Sequence, residues 1–149
     1  MLQSSSLKPE VYHRFVDDCL MIWCHGETEL LHFIDHCNAQ HPTIHFTWES
    51  SLQEKHVSYM DMALSISSDE QLEYELFQKP SDSGVNMHFN SCVPRFMKMS
   101  VVQQQFRRAT ALSSNREARE RSHEKIRKLL RGNNFPEKEI MEAEQRSLQ

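Results

Sequence analysis

The hydrophobic pattern of this chain changes its period near residues 79–91, and this change is the strongest constraint on the fold. Before this segment, apolar residues alternate with polar ones or form short β-branched and aromatic runs, as strands do. After it, they recur at spacings of three and four, as on one face of a helix. The segment itself (KPSDSGVNMHFNS) is rich in residues that interrupt regular structure. The sequence therefore predicts an α+β protein.

Strands and one helix are predicted in the first part. Residues 11–16 and 19–24 are short apolar runs separated by Asp17 and Asp18, which predicts a hairpin with this pair at its turn. Residues 27–40 place apolar side chains on one face of a helix. Further strands are expected at residues 43–49, 57–66 and 71–79.

Three helices are predicted in the last part. The first covers residues 99–112. The second runs from candidate caps at residues 113–115 through Arg131, and Gly132 suits its C-terminal cap. Pro136 lies where a third, short helix can begin.

The net charge of −4 hides an uneven distribution along the 149 residues. Residues 1–94 carry 4 basic and 14 acidic side chains, which gives −10. Residues 95–131 carry 11 and 3, which gives +8, and residues 132–149 carry 2 and 4, which gives −2. The basic stretch suggests an anionic partner. The alternative is a solvated helix whose positive face balances an acidic neighbour in the same fold.

The sequence also indicates where the protein resides. No apolar run approaches the roughly 18 residues that a membrane span needs. Residues 1–10 lack the charged and apolar regions of a secretory signal. We therefore expect a soluble, intracellular protein with no membrane partner.

Asp17 and Asp18 are candidates for a metal site. Adjacent carboxylates repel each other, and a divalent cation removes that repulsion. Mg²⁺ prefers one or two carboxylates together with substrate phosphates, as in two-metal phosphoryl and nucleotidyl transfer. The alternative is ordinary turn chemistry, because Asp satisfies local backbone donors in turns. The residue types alone leave both interpretations open.

A family resemblance adds to this interpretation. Residues 12–18 (YHRFVDD), followed by apolar residues to Trp23, resemble the catalytic hairpin of reverse transcriptases. Other segments resemble the downstream part of reverse transcriptases encoded by Penelope-like animal retroelements and their relatives; they are residues 31–49, 58–61, 76–82, 90–94 and 133–136. The resemblance covers about residues 11–140.

The resemblance implies a division into two parts. Residues 1–94 would form a partial palm subdomain with the aspartate hairpin, an antiparallel sheet and one packed helix. Residues 95–149 would form a helical, thumb-like bundle. Asp17 would be a catalytic Mg²⁺ ligand and Asp18 its partner.

The resemblance also implies a nucleic-acid partner, a primer–template duplex of RNA or DNA, with a deoxynucleoside triphosphate as substrate. Val16 would lie close to the primer end, and Lys79 would help to hold the primer strand. The basic helices would contact phosphates independently of sequence. The residues that we expect to make these contacts are Arg107, Arg108, Arg127, Lys128 and Arg131.

The chain departs from the polymerase pattern in one respect. A polymerase palm needs a further aspartate on an upstream strand, and it needs fingers, yet only ten residues precede Val11. We therefore expect an incomplete magnesium site and no polymerase activity from this chain alone. The alternative function is a non-catalytic, helix-turn-helix-like module that binds nucleic acid.

Overall fold

The computed structural model describes residues 5–51, 56–82, 84 and 87–148. These residues form small antiparallel sheets and four helices, so the α+β class is confirmed. The chain divides into two compact units, Met1–Glu54 and Lys55–Gln149. The boundary after residue 94 stays a prediction. Of the helices described, none is long and apolar enough to cross a membrane.

The first unit contains a hairpin and a helix. Strands β1 (Val11–Phe15) and β2 (Asp18–Ile22) pair antiparallel, and helix α1 (Glu27–Asn38) follows them. The helix predicted at residues 27–40 is therefore confirmed. Its apolar face is buried at Leu30, Phe33, Ile34 and Cys37, against which Met21, Trp23, Phe46 and Trp48 pack.

The hairpin turn differs from the prediction by one residue. Its two central residues are Val16 and Asp17, whereas Asp18 is the first residue of β2 and pairs with Phe15. The turn closes one residue early because Asp18 pairs with Phe15, and the Nε–H of Arg14 donates to the Val16 carbonyl over 2.8 Å within the turn. Val16 adopts φ 54°, which is unusual for a β-branched residue. The prediction that both aspartates form the turn is wrong.

The strand predicted at residues 43–49 is also wrong, because this segment is irregular. The Asn38 side chain supplies the hydrogen bonds that a neighbouring strand would otherwise supply. Its Oδ1 accepts from the Phe46 N–H over 2.6 Å, and its Nδ2 donates to the Phe46 carbonyl over 3.3 Å. The alternating apolar side chains still pack inward, since Phe46 and Trp48 lie against the α1 core.

The second unit begins with a three-stranded antiparallel sheet. Strands β3 (Val57–Tyr59), β4 (Met62–Ile66) and β5 (Leu72–Leu76) lie in the order β3-β4-β5. Residue pairs such as Leu64 with Tyr74 fix the β4–β5 register. The strand predicted at residues 71–79 is present in shortened form as β5.

The strand predicted at residues 57–66 is interrupted. Met60 and Asp61 form a turn between β3 and β4, and Tyr59 pairs with Met62 across it. Met60 adopts φ 54°. The prediction of one continuous strand is wrong because neither turn residue is Gly or Asn, the residues that usually mark a two-residue hairpin turn.

Three helices complete the second unit. They are α2 (Arg95–Ala111), α3 (Arg116–Gly132) and α4 (Glu137–Ser147), so the three predicted helices are confirmed. Helix α2 begins before Met99, the predicted start. Pro94 immediately precedes its first residue. Proline is tolerated at the start of a helix because an N–H there would have no acceptor within the helix.

Helix α3 ends differently from the prediction. Gly132 is its last residue, and Asn134 adopts the left-handed conformation with φ 61°. The Phe135 N–H donates to the Leu130 carbonyl over 3.1 Å, and the Asn134 N–H donates to the Arg131 carbonyl over 3.0 Å. This pair of bonds is a Schellman motif. Asn134, not Gly132, therefore provides the capping conformation.

The sheet joins the helices through β5. The Leu76 N–H donates to Ser122 Oγ over 3.1 Å, and the Tyr74 N–H donates to Ser114 Oγ over 3.1 Å. Side chains and turn residues thus cover the edge of this strand, which is a common protection against further pairing. Leu76 shares one apolar cluster with the helices, together with Val102, Phe106, Ala109, Ile126, Leu130, Phe135, Ile140 and Ala143.

Candidate nucleic-acid interface

Helices α2, α3 and α4 are joined by two short turns, at residues 112–115 and 133–136. The Asn115 Oδ1 accepts from the Ala118 N–H over 2.8 Å, which caps the start of α3. Helix α2 packs against both other helices. Helices joined by turns of this length are typical of helix-turn-helix domains.

A buried polar network holds the three helices together. The His123 Nδ1–H donates to Glu144 Oε1 over 2.8 Å, and Nη1 of Arg127 donates to the same oxygen over 2.6 Å. On the opposite side of the ring, His123 Nε2 lies 2.9 Å from Thr110 Oγ1. His123 is only 2% exposed, so these contacts replace the water that it would otherwise bind. One side chain of α3 thus connects α2 with α4.

Arg127 is enclosed by carboxylates of its own bundle. It forms ion pairs with Glu120, Glu124 and Glu144. Burial lowers the pKa of Arg127, but the hydrogen bonds that its guanidinium donates to these three carboxylates outweigh burial and raise the pKa above its ordinary value. Its charge is therefore largely compensated within the fold. The contact with phosphate predicted for Arg127 stays a prediction.

Arg131 and Arg108 also have carboxylate partners, but both remain partly exposed. Arg131 donates to Glu137 over 3.0 Å from Nε and over 2.7 Å from Nη2. Arg108 pairs with Asp61 at the turn between β3 and β4. Exposed pairs of this kind contribute about 0–1 kcal/mol. A phosphate can therefore replace either carboxylate at little cost.

The Glu75 carboxylate neutralises part of the positive charge of α3. It lies on β5, and Lys125 Nζ donates to its Oε1 over 2.7 Å while Arg121 pairs with its Oε2. Burial raises the pKa of Glu75, but the hydrogen bonds from Lys125 and Arg121 outweigh burial and hold the pKa below its ordinary value. For these side chains the structure favours the interpretation in which the basic helix balances an acidic neighbour.

Within the described part of the chain, Lys98 donates to backbone carbonyls and Arg116 interacts electrostatically with Glu120. The basic side chains of residues 95–131 that have no carboxylate partner there are Arg107, Arg119 and Lys128. The turn at residues 112–115 brings the end of α2 close to the start of α3. We call Arg107, Arg116 and Arg119 the α2–α3 corner. Arg107 and Arg119 have no carboxylate partner in the described residues, and Arg107 and Arg116 are exposed, so this corner is accessible to an anion.

Two arginines of the α2–α3 corner lie where a helix disfavours cations. Arg116 and Arg119 belong to the first turn of α3, at the positive end of the helix dipole. A cation there costs about 0.3–1 kcal/mol, and an anion bound beside it removes this cost. Both side chains therefore lower the stability of the helix slightly, and Glu120 offsets part of this cost for Arg116.

Helix α4 is more acidic than α2 and α3. Glu137 and Glu142 are exposed on it, and Glu139 and Glu144 turn toward the bundle. In helix-turn-helix proteins that read bases, the second helix of the motif enters the major groove. Exposed carboxylates oppose such insertion because they repel phosphates. The net positive charge that could meet phosphates therefore lies on α2 and α3, whereas α4 carries a net negative charge.

The residues of the predicted catalytic hairpin lie in the first unit. Val16, Asp17 and Asp18 are all exposed at the end of the β1–β2 hairpin. In the described ranges no group of three His, Cys, Asp or Glu side chains comes together as a metal site. The hairpin thus supplies at most two carboxylate ligands. In the second unit, Lys79 is exposed just after β5.

Sequence reasoning missed two features of α2. Asp82 and Glu117 bound the longest stretch of the chain without an acidic residue, and all of α2 lies inside this stretch. Phe96, on the first turn of α2, is 69% exposed. Mapping acidic positions, rather than counting net charge by segment, identifies the first feature. No sequence signal identifies the second, because Phe96 fits an apolar helical position equally well.

Comparison with known proteins agrees with this geometry. Residues 87–144 match the family described as Animal helix-turn-helix domain. The match spans α2, α3 and most of α4. No curated protein and no solved structure gives a significant match. Over its three-helix part the chain is therefore similar to animal helix-turn-helix domains, and nothing in the comparisons indicates a reverse transcriptase.

Proposed function

We propose that the three-helix part of this protein binds nucleic acid without catalysing a reaction. The observation that carries the proposal is the match to an animal helix-turn-helix domain over residues 87–144, the region that forms α2, α3 and α4. Helix-turn-helix domains commonly bind DNA. This is the alternative function that the basic helices indicate.

The distribution of charge favours contacts with phosphates over contacts with bases. In the α2–α3 corner, Arg107 and Arg119 have no carboxylate partner in the described residues, and Arg116 interacts only with the exposed Glu120. Arg108 and Arg131 can exchange an exposed carboxylate for a phosphate. Phosphate contacts position a protein on a duplex but carry no sequence information directly. The duplex affinity should therefore depend strongly on salt and weakly on sequence.

The test is fluorescence anisotropy of the full chain with a labelled DNA duplex between about 50 and 200 mM NaCl. Each phosphate contact contributes roughly −0.9 to the slope of log K against log salt. The double variant Arg107→Gln/Arg119→Gln should lose affinity and reduce that slope by about 2. Lys8→Gln/Lys138→Gln removes the same charge elsewhere and is the matched control. Absence of duplex binding at low salt, or an equal loss in the control, contradicts the proposal.

A second candidate follows from the first unit. The resemblance of residues 12–18 to the catalytic hairpin of reverse transcriptases is accompanied by an antiparallel hairpin that exposes Asp17 and Asp18. Under this proposal the chain is the palm and thumb portion of a retroelement reverse transcriptase. Val16 and Lys79 then contact the primer strand, and the thumb-like helices bind the phosphates of the primer–template duplex.

The described residues do not by themselves fit a catalytic Mg²⁺ site. Two-metal chemistry holds its ions between several carboxylates and the substrate phosphates. Asp17 and Asp18 are neighbours in sequence, and no third His, Cys, Asp or Glu joins them within the described ranges. Binding of Mg²⁺ by this pair stays a prediction. No catalytic step is assigned to this chain alone.

Primer extension tests whether the second candidate catalyses polymerisation by itself. The full chain is incubated with an RNA template, a DNA primer, deoxynucleoside triphosphates and Mg²⁺. We expect no extension, because the hairpin supplies at most two ligands. Extension that the Asp17→Asn variant abolishes would show instead that the chain is a competent polymerase.

A further inference from the structure

Helices α2 and α4 enclose a groove of about 190 Å³ whose lining is mixed. Phe96 and Met99 provide apolar surface, and Ala143 closes one side. Polar side chains occupy the remainder, namely Ser100, Gln103, Glu142 and Arg146. Apolar surface with a few convergent polar groups is typical of ligand sites, but this groove is smaller than the roughly 300–1,000 Å³ of pockets for whole small molecules and suits part of a larger ligand.

Phe96 is the distinctive residue of this groove. It is 69% exposed, so its ring contributes little to the core. Its helical spacing places it on one exposed stripe of α2 with Ser100, Gln103 and Arg107. The stripe therefore combines an aromatic ring, two neutral polar groups and a cation without a carboxylate partner in the described residues.

We propose that this groove holds an unpaired base of a single-stranded nucleic acid. The base stacks on the Phe96 ring, and the polar side chains of the groove bind its edge. Aromatic stacking is the usual way in which proteins hold splayed bases. Arg107 lies one helical turn beyond Gln103 and about 16 Å along the helix from Phe96, so it binds a phosphate further along the strand. The inference deepens the proposed function and rests on it.

The charge and lining of the groove favour a nucleic acid over a protein segment. No acidic residue lies on α2, so a polyanion meets no repulsion along that helix. A groove for an amphipathic peptide helix is hydrophobic and takes apolar anchors. Here Glu142 and Arg146 form an exposed ion pair, with 3.9 Å between Oε2 and Nη2, so the arginine offsets the carboxylate charge beside a polyanion. Such a pair contributes about 0–1 kcal/mol, so both groups can turn to the edge of a base as acceptor and donor.

The test uses labelled oligo(dC) and oligo(dT) of about 12 nucleotides, together with a blunt duplex of the same length. Loss of stacking in Phe96→Ala should weaken single-strand binding roughly 5- to 100-fold. The duplex affinity should stay within about twofold, because phosphates dominate it. Met141→Ala is the matched control, since Met141 is 52% exposed on α4 and does not line the groove. Circular dichroism verifies that each variant is folded.

A second variant tests how the edge of the base is read. The Glu142 carboxylate accepts from the amino group of cytosine, which thymine lacks. The wild-type chain should therefore prefer oligo(dC), and Glu142→Gln should bring the ratio of the two affinities closer to one.

The outcomes separate this inference from the proposed function. Equal single-strand affinity of the wild type and Phe96→Ala overturns the inference while duplex binding still supports the proposed function. If the wild type binds neither probe, both fail. Concentration-dependent dimerisation that Phe96→Ala abolishes assigns the groove to a second copy of the chain and also overturns the inference.

Discussion

The His123 Nδ1–H donates to Glu144 Oε1 over 2.8 Å and thereby joins α3 to α4 inside the helical bundle. Arg127 binds the same carboxylate oxygen. The side chain of Glu144 is 16% exposed and that of His123 is 2% exposed, so water can replace little of this network. Glu144 therefore adds to the stability that the apolar core gives the three-helix part.

Replacing Glu144 should destabilise the helical bundle. Glu144→Ala leaves the buried donors of His123 and Arg127 without their acceptor, which should cost about 2–3 kcal/mol of unfolding free energy. Glu144→Gln keeps an acceptor but loses the charge, and should cost about 1 kcal/mol. Urea unfolding followed by far-ultraviolet circular dichroism measures both. Glu142→Ala, on the exposed face of the same helix, should change stability by less than about 0.5 kcal/mol; an equal loss in this control contradicts the role of Glu144.

Glu75 should make the stability of the second unit depend on pH. Its pKa is held below the ordinary value of 4.5 because hydrogen bonds from Lys125 and Arg121 outweigh the effect of burial. A lowered carboxyl pKa stabilises the fold above the ordinary value, and this stability is lost as pH falls through the folded-state pKa. Glu75→Gln should therefore cost about 1 kcal/mol at neutral pH and progressively less below pH 4.5. A cost that stays constant from neutral to acidic pH would contradict this assignment.

The helices were more predictable than the strands, and the reason is local. Pro136 and the cap at Asn115 mark helix ends through their own backbone chemistry, so the sequence identified α3 and α4. The turns at Val16 and Met60 lack Gly or Asn, so nothing local distinguished them from strand residues. The segment at residues 43–49 is held by a side chain outside it, Asn38, and the alternation of apolar residues does not reveal this bond.

The candidate site was less predictable than the fold because charge compensation is a tertiary property. Lys125 meets Glu75 across 50 positions of sequence, and Arg127 meets Glu144 on another helix. A count of charges by segment treats these side chains as free. Only the folded arrangement distinguishes them from Arg107, whose charge has no carboxylate partner in the described residues.

Asn134 should be replaceable by Gly but not by Ala. Its φ of 61° lies in the left-handed region, which costs a residue with a Cβ about 1–2 kcal/mol unless its side chain compensates. The Nδ2 of Asn134 lies 3.0 Å from His88 Nε2 and contributes such a contact. Asn134→Ala should lower the unfolding free energy by about 1 kcal/mol, and Asn134→Gly should change it by less than about 0.5 kcal/mol. Thermal unfolding measures the difference, and equal melting temperatures for the two variants count against the Schellman cap.

Val16→Gly should stabilise the first unit. Val16 adopts φ 54° and is 70% exposed, so glycine relieves backbone strain and sacrifices little apolar burial. The expected gain is about 1 kcal/mol, because relief of the left-handed conformation exceeds the added entropy of the unfolded chain. Both tryptophans, Trp23 and Trp48, belong to this unit, so their fluorescence reports its unfolding separately from the helical bundle.

The opposite result is expected for glycine at a regular strand position nearby. His13→Gly lies within β1, where the side chain is exposed and the backbone is extended, so it should cost about 0.5–1 kcal/mol. The two substitutions introduce the same residue into one hairpin, and only the backbone conformation distinguishes them. If both variants unfold more readily than the wild type, the hairpin does not turn at Val16 in solution.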